Sequence, residues 1–235
     1  MKRMILVILS AVLVLDAAFT FVQAAQKEPL ETSPQVTEAA SPMDQDIQTL
    51  SQEWAHIKYE ISNGDEQEKQ MEALITKSAA VTKKYATHAE PYIWQAIITS
   101  TQAGISGGLG ALGYAKDSKK LLEQAEAINP RALDGGIYTS LGALYYQVPG
   151  WPIGFGDDEK ARTYLERART MNPDAIDPNY FYGEFLIAQG EYAKAIAVLE
   201  HALAAPDRPN RHIADKGRRA EVRQAIAMAK KKLGA

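Results

Sequence analysis

Gly104-Ile105-Ser106-Gly107-Gly108 satisfies G-x-S-x-G, the spacing that presents a serine hydroxyl for acyl transfer when it sits on a strand-to-helix turn. Gly108, Gly110 and Gly113 satisfy G-x-G-x-x-G, the spacing of a turn that lets a pyrophosphate approach backbone N–H groups. Both chemistries need a strand to aim them, and here helical periodicity comes before both. No acidic residue ending a second strand follows, and no histidine stands in an evident arrangement with Ser106. The stretch therefore reads as a flexible insertion between helices, with a serine hydrolase using Ser106 as the alternative. His56, His88, His201 and His212 are too widely spaced for a helical metal pair. The chain has no cysteine, which excludes disulfides, thiolate metal sites and a cysteine nucleophile. No cofactor, metal or catalytic residue is expected, and the expected activity is binding rather than catalysis.

The residues suited to binding lie elsewhere. Val148-Pro149-Gly150-Trp151-Pro152-Ile153-Gly154-Phe155-Gly156 mixes stiff prolines, permissive glycines and two large aromatics ahead of Asp157, a natural helix N-cap. Trp151 and Phe155 are expected to anchor this loop between helices, or else to wall a binding pocket. Tyr180, Phe181 and Tyr182 open a following helix and extend the aromatic surface. Asp215, Arg218, Arg219, Glu221 and Arg223 place charges three and four residues apart on the last helix. Pairing within the chain is the first expectation. The other is a guanidinium fork for a carboxylate or phosphate, with Arg218 as the candidate and Asp215 orienting it.

These positions are carried by a repeated helical unit. Ala161, Leu165 and Ala168 recur 34 residues later as Ala195, Leu199 and Ala202, and Ser118, Leu122 and Ala125 precede them by 43. Small residues seven apart lie on one helical face and let a neighbouring backbone come close. Asn129-Pro130 and Asn172-Pro173 stop two of these helices, because proline lacks an N–H and disfavours helix in the residue before it. The preceding helices carry Tyr138, Leu141, Gly142 and Tyr145, and then Tyr182, Gly183 and Leu186, with Gly190 as a turn. This pattern resembles the tetratricopeptide repeat. The likeness implies an all-α solenoid of antiparallel helix pairs with extended inter-helix loops and a C-terminal capping helix. The middle unit holds 7 extra residues and the first unit 8, and in the first Ile98 stands where a small residue is expected.

The N-terminus reads as a secretory signal peptide over residues 1–24: Lys2 and Arg3, an apolar run from Met4, and Val22-Gln23-Ala24 before the cleavage point. The rival reading is an uncleaved anchor, against which Asp16 would be costly in hydrocarbon. Residues 25–42 have the composition of a disordered linker, and 43–235 form the repeat domain. In that domain Asp65 is expected to cap the second helix, and helices are expected at about 90–104, 112–128, 134–147, 157–171, 177–189, 191–205 and 212–233. After cleavage the chain holds 24 basic and 28 acidic residues, a net −4 that selects no partner class. Charge is nevertheless uneven, with 3 basic and 11 acidic residues over 25–72 against 9 basic and 3 acidic from Asp207 onward. Solvated helix faces explain this, and so does head-to-tail or partner docking.

An exported tetratricopeptide-like chain with interrupted repeats also resembles the T component of TRAP transporters, whose members associate with solute-binding subunits. That resemblance implies a periplasmic or secreted binding or adaptor protein. Its expected partner is another protein or a small hydrophobic or anionic solute, with no nucleic acid and no membrane span once the signal is removed. A homo-oligomer is compatible with it, and an envelope-assembly scaffold is the structural alternative.

Overall fold

The computed structural model describes residues 40–234. The signal segment and nearly all of the linker lie outside the described residues. Nine α-helices follow among them: α1 Pro42–Glu60, α2 Gly64–Lys84, α3 Ala89–Ser106, α4 Gly108–Ile128, α5 Gly136–Gln147, α6 Asp158–Met171, α7 Ile176–Ala188, α8 Tyr192–Leu203 and α9 His212–Lys232. A short 3₁₀ turn, Ala132–Gly135, leads into α5. There is no strand among the described residues, only a single bridge between Gly150 and Gly156. The fold is an all-α, tetratricopeptide-like solenoid of antiparallel pairs, α1/α2, α3/α4, α5/α6 and α7/α8, closed by α9.

The repeated small residues do what their spacing requires. Ala161, Leu165, Ala168, Ala195, Leu199 and Ala202 are wholly buried, as are Ser118, Leu122 and Ala125. Leu165 sits directly on Gly142, where an added Cβ would lie 2.5 Å from Leu165 Cγ, and Leu199 sits on Gly183 at the same 2.5 Å. Glycine is thus the residue that lets each pair close. The first pair solves the same problem differently: Ser118 Oγ donates to the Ala96 carbonyl at 2.8 Å, so Ala96 is the small residue at the contact. Ile98 turns away from α4 and packs with Leu50, Trp54 and Trp94.

Several expected boundaries are corrected. Ser41 caps α1 through a reciprocal box with Asp44, and Pro42 is the first helical residue. Asn63, not Asp65, caps α2: its side chain accepts from the Glu66 N–H at 2.9 Å. The glycine-rich insertion of the first unit is not a loop. α3 runs to Ser106 and α4 starts at Gly108, with Gly107 and Gly108 at φ +59° and +58° making the whole turn. The extra residues lengthen both helices, to 18 and 21 residues against 13 and 12 in the α7/α8 pair. The middle unit's extra residues do form a loop, followed by Asp157 as the N-cap of α6, accepting from the Lys160 N–H at 3.0 Å.

The last helix closes the domain onto its beginning. α9 packs on α8 through Val222, Ala225 and Ile226, while Ala214 joins the α1 cluster of Leu50, Trp54 and Ile57. Tyr59 donates to Glu221 at 3.1 Å and Lys58 pairs with it at 3.0 Å. α1 and α9 therefore meet within one domain, and the ion pair between them, Lys58 with Glu221, runs against the overall charge asymmetry of the two segments.

Candidate functional site

The inner helices α1, α3, α5 and α7, with the first turns of α4 and the start of α9, enclose a groove of about 950 Å³. Its floor is apolar, built from Trp94, Ile97, Ala111, Leu112, Leu144 and Phe181. Val148, Pro149 and Ile153 of the inter-repeat loop form one lip. Ser100, Thr101, Thr139 and Ser140 set hydroxyls into the wall. Three of the four are already committed: Thr101 accepts from Trp54 Nε1 at 2.8 Å and donates to the Ile97 carbonyl, Ser100 donates to the same carbonyl, and Thr139 donates to the Gly135 carbonyl. Leu133 and Asp134 border the groove with φ +50° and +45°. Two adjacent non-glycine residues in the left-handed region store backbone strain, a feature that concentrates at ligand sites.

One end of the groove is charged. Arg218, only 5 % exposed, donates from Nε to Asp177 at 2.8 Å and from Nη1 to Glu221 at 2.6 Å. Its guanidinium also lies 4.3 Å from the Tyr180 ring centre and 4.8 Å from that of Phe181. Arg208 bridges Asp177 at 2.6 Å and Asp215 at 2.7 Å, and its backbone N–H donates to Asp215 at 2.8 Å. Burial alone would raise the Asp177 pKa, but Arg218, Arg208 and Arg211 pull it well below the usual carboxylate range. Burial likewise works against the Arg218 charge, and Asp177, Tyr59 and Glu221 overcome it. Lys58 goes the other way: burial and the neighbouring Arg218 press it down to about 8 in spite of Glu221.

The residues expected from sequence divide between this groove and other surfaces. Tyr180 and Arg218 line the groove together. Asp215 does not orient Arg218 as expected; it pairs with Arg208, and Asp177 and Glu221 hold Arg218. Trp151 does not anchor the loop between helices. It is 90 % exposed at the loop tip, because Gly154 and Gly156 pack against the backbone of Val148 and Pro149 and leave no cleft for it. Phe155 does anchor, meeting Tyr145 edge-on at 5.7 Å with Lys119 over its face. Tyr182 faces the other way, donating to Glu166 at 3.0 Å beneath Arg169. Trp54, Lys58, Trp94, Asp177, Arg208 and Arg211 also belong to the groove, and none of them is among the binding residues expected from sequence. Lys58 and Asp177 carry no local signal because their partners lie far along the chain.

Ser106 lies in the last turn of α3, donating to Glu68 at 2.7 Å and accepting from Gln102 at 3.0 Å, with no histidine among its hydrogen-bond partners. The first glycine motif spans the α3–α4 turn and the second lies in α4, so neither has the strand-to-helix turn its chemistry needs. No cluster of three metal-ligating side chains and no helix long and apolar enough to cross a membrane occurs among the described residues.

Against known proteins, the tetratricopeptide-repeat family matches residues 153–214, spanning α6 to the start of α9. No curated protein matches the chain. Among solved structures, a thermophilic tetratricopeptide protein of Thermus thermophilus is 24 % identical, covering 70 % of this chain and 84 % of its own, with a TM-score of 0.49. A crystal structure of MamA is 18 % identical, covering 74 % and 96 %, with a TM-score of 0.41.

Proposed function

We propose that this chain is an exported adaptor whose groove holds a segment of a partner protein. The observation that carries this is the groove itself: an apolar floor rimmed by paired charges and strained backbone, on the inner face of stacked helix pairs. Helical-repeat proteins use such concave faces for extended binding partners. The aromatic and arginine content matches what dominates binding energy at protein interfaces. The pairing of Arg218 with Asp177 keeps the charged end rigid before a partner arrives, which lowers the ordering cost of association.

Export is part of the proposal, supported by the residues of the N-terminal segment, and Edman sequencing of the protein recovered from the cell envelope should begin at Ala25. The interrupted repeats and this signal support a place beside the solute-binding subunit of a TRAP-type transporter. A photo-cross-linking phenylalanine at Gln147, which is exposed and faces the groove, tests the whole reading in cells. It should trap one defined partner segment, and the same group at exposed Lys120, on α4 beyond the residues that line the groove, should not. A solute-binding subunit among the adducts supports the transporter role; another single partner supports a general adaptor. Adducts equal at both positions would refute the groove as the binding face.

A further inference from the structure

Within the charged end of the groove every ionic group but one is matched. Asp177 is shared by Arg208 and Arg218, Asp215 is taken by Arg208, and Glu221 is taken by Arg218 and Lys58. Arg211 has no ion pair within 4.0 Å among the described residues. Its Nε is buried without any hydrogen-bond partner, and its guanidinium lies 5.0 Å from the Trp94 ring centre. It is placed by the backbone as the N-cap residue of α9, with its own N–H bound to the Arg208 carbonyl at 3.2 Å. Arg211 is half-buried, and its buried Nε–H left without an acceptor is costly; such a group is retained where something else completes it. Burial and the nearby Arg208 both disfavour its charge, which deepens the need for an anion.

The geometry points to an oxyanion-binding subsite at Arg211: the groove's occupant carries a carboxylate or phosphoryl oxygen that accepts from the Arg211 guanidinium, beside an apolar portion laid over Trp94, Ile97 and Leu144. This rests on the groove being the binding face, and it adds the chemistry of what is bound. The arrangement suits the task. Trp94 places its ring beside the guanidinium at cation–π distance, and a planar fork donates to two oxygens at once. Trp54 in turn meets Trp94 edge-on at 6.1 Å and is held by its bond to Thr101, so that ring is itself braced. Arg211 also borders a smaller cavity between α1 and the start of α9, so the side of entry must be read as well.

The test needs no knowledge of the partner. In the mature protein labelled with ¹⁵N, the Arg211 Nε–H and the Trp94 indole N–H are followed while sodium acetate or inorganic phosphate is added, with chloride held constant. The expected result is a saturable shift of both signals, with binding weakened by about tenfold or more in Arg211→Gln, as for loss of a charged hydrogen bond, and partly restored in Arg211→Lys. Response to acetate identifies a carboxylate as the natural group; response to phosphate alone identifies a phosphoryl group. No saturable shift with either anion, an equal response in Arg211→Gln, or a shift of Arg211 that leaves Trp94 unmoved would overturn the subsite. Failure is separable from failure of the adaptor reading, because cross-linking at Gln147 is scored independently of whether free anions bind.

Discussion

Asp177 holds two guanidinium groups at once, so its loss is felt twice. Arg218 is buried and Arg208 has most of its surface covered, and removing the shared carboxylate takes one of the two acidic partners from each, leaving Asp215 to Arg208 and Glu221 to Arg218. Breaking a buried ion pair from one side costs about 3–5 kcal/mol, and Asp177→Asn should approach the lower end of that range in urea unfolding, because the Asp177 side chain keeps a quarter of its surface in contact with solvent. The same carboxylate predicts acid sensitivity. Its folded pKa is depressed despite burial, so its contribution is complete above the unfolded carboxylate range and is lost as pH falls toward the folded value. The Asn variant should show a flatter acid limb. Lys58 gives the opposite end of the pH scale. With a pKa of about 8 in the folded chain against an ordinary 10.5, the unfolded state binds more protons between those values. Stability should therefore climb as pH rises from about 8 to 10.5, and that slope should be absent in Lys58→Met. A lysine side-chain NMR titration with no midpoint near 8 would contradict this.

Helix pairing depends on where glycine is needed and where it is merely tolerated. Gly183 has the Leu199 side chain 2.5 Å from where a Cβ would stand, so Gly183→Ala should force α7 and α8 apart and lower stability by about 1–3 kcal/mol. Gly113 lies within α4 with nothing within 4 Å, so Gly113→Ala should raise it by about 0.5–1 kcal/mol. Chemical denaturation of the two variants side by side checks both signs. This contrast also explains what the sequence could reveal. The buried Ala-Leu-Ala face and the Asn-Pro stops were legible because they repeat, and repetition separates a packing requirement from chance. The two insertions were alike in length and rich in glycine, yet one became helix and the other a loop. Glycines in α4 cost only about 1 kcal/mol each against alanine, which tertiary packing along α3 outweighs, whereas Pro149 and Pro152 cannot continue a helix. Trp151 misled for a related reason: aromatic character suggests burial, but the glycines beside it bring backbone onto backbone and leave the ring outside. Trp151→Ala should change stability by less than about 0.5 kcal/mol.

Closure of the domain joins parts of the chain that no local pattern relates. α1 and α9 each read as amphipathic helices, and nothing in their spacing says that they touch. The groove's charged end is completed by that contact: Asp177 of α7 holds Arg208 and Arg218 from the far end of the chain, and α1 adds Lys58 on Glu221. That is why the pairing of Arg218 with Glu221, three residues on, is legible in the sequence while its pairing with Asp177 is not. The contact is tight at one point, where a Cβ on Gly217 would lie 2.4 Å from the Tyr59 ring. Gly217→Ala should therefore push α9 away from α1 and widen the groove, seen as a larger radius of gyration in small-angle scattering and weaker cross-linking at Gln147. A general helix effect would act otherwise, since alanine favours helix over glycine by about 1 kcal/mol. The decisive comparison is the double variant. If the clash with Tyr59 is the cause, Tyr59→Ala gives the new methyl room, and Gly217→Ala should be far less damaging in that background, a positive coupling that independent effects cannot produce. Additive losses would mean that the two helices are not in the contact described.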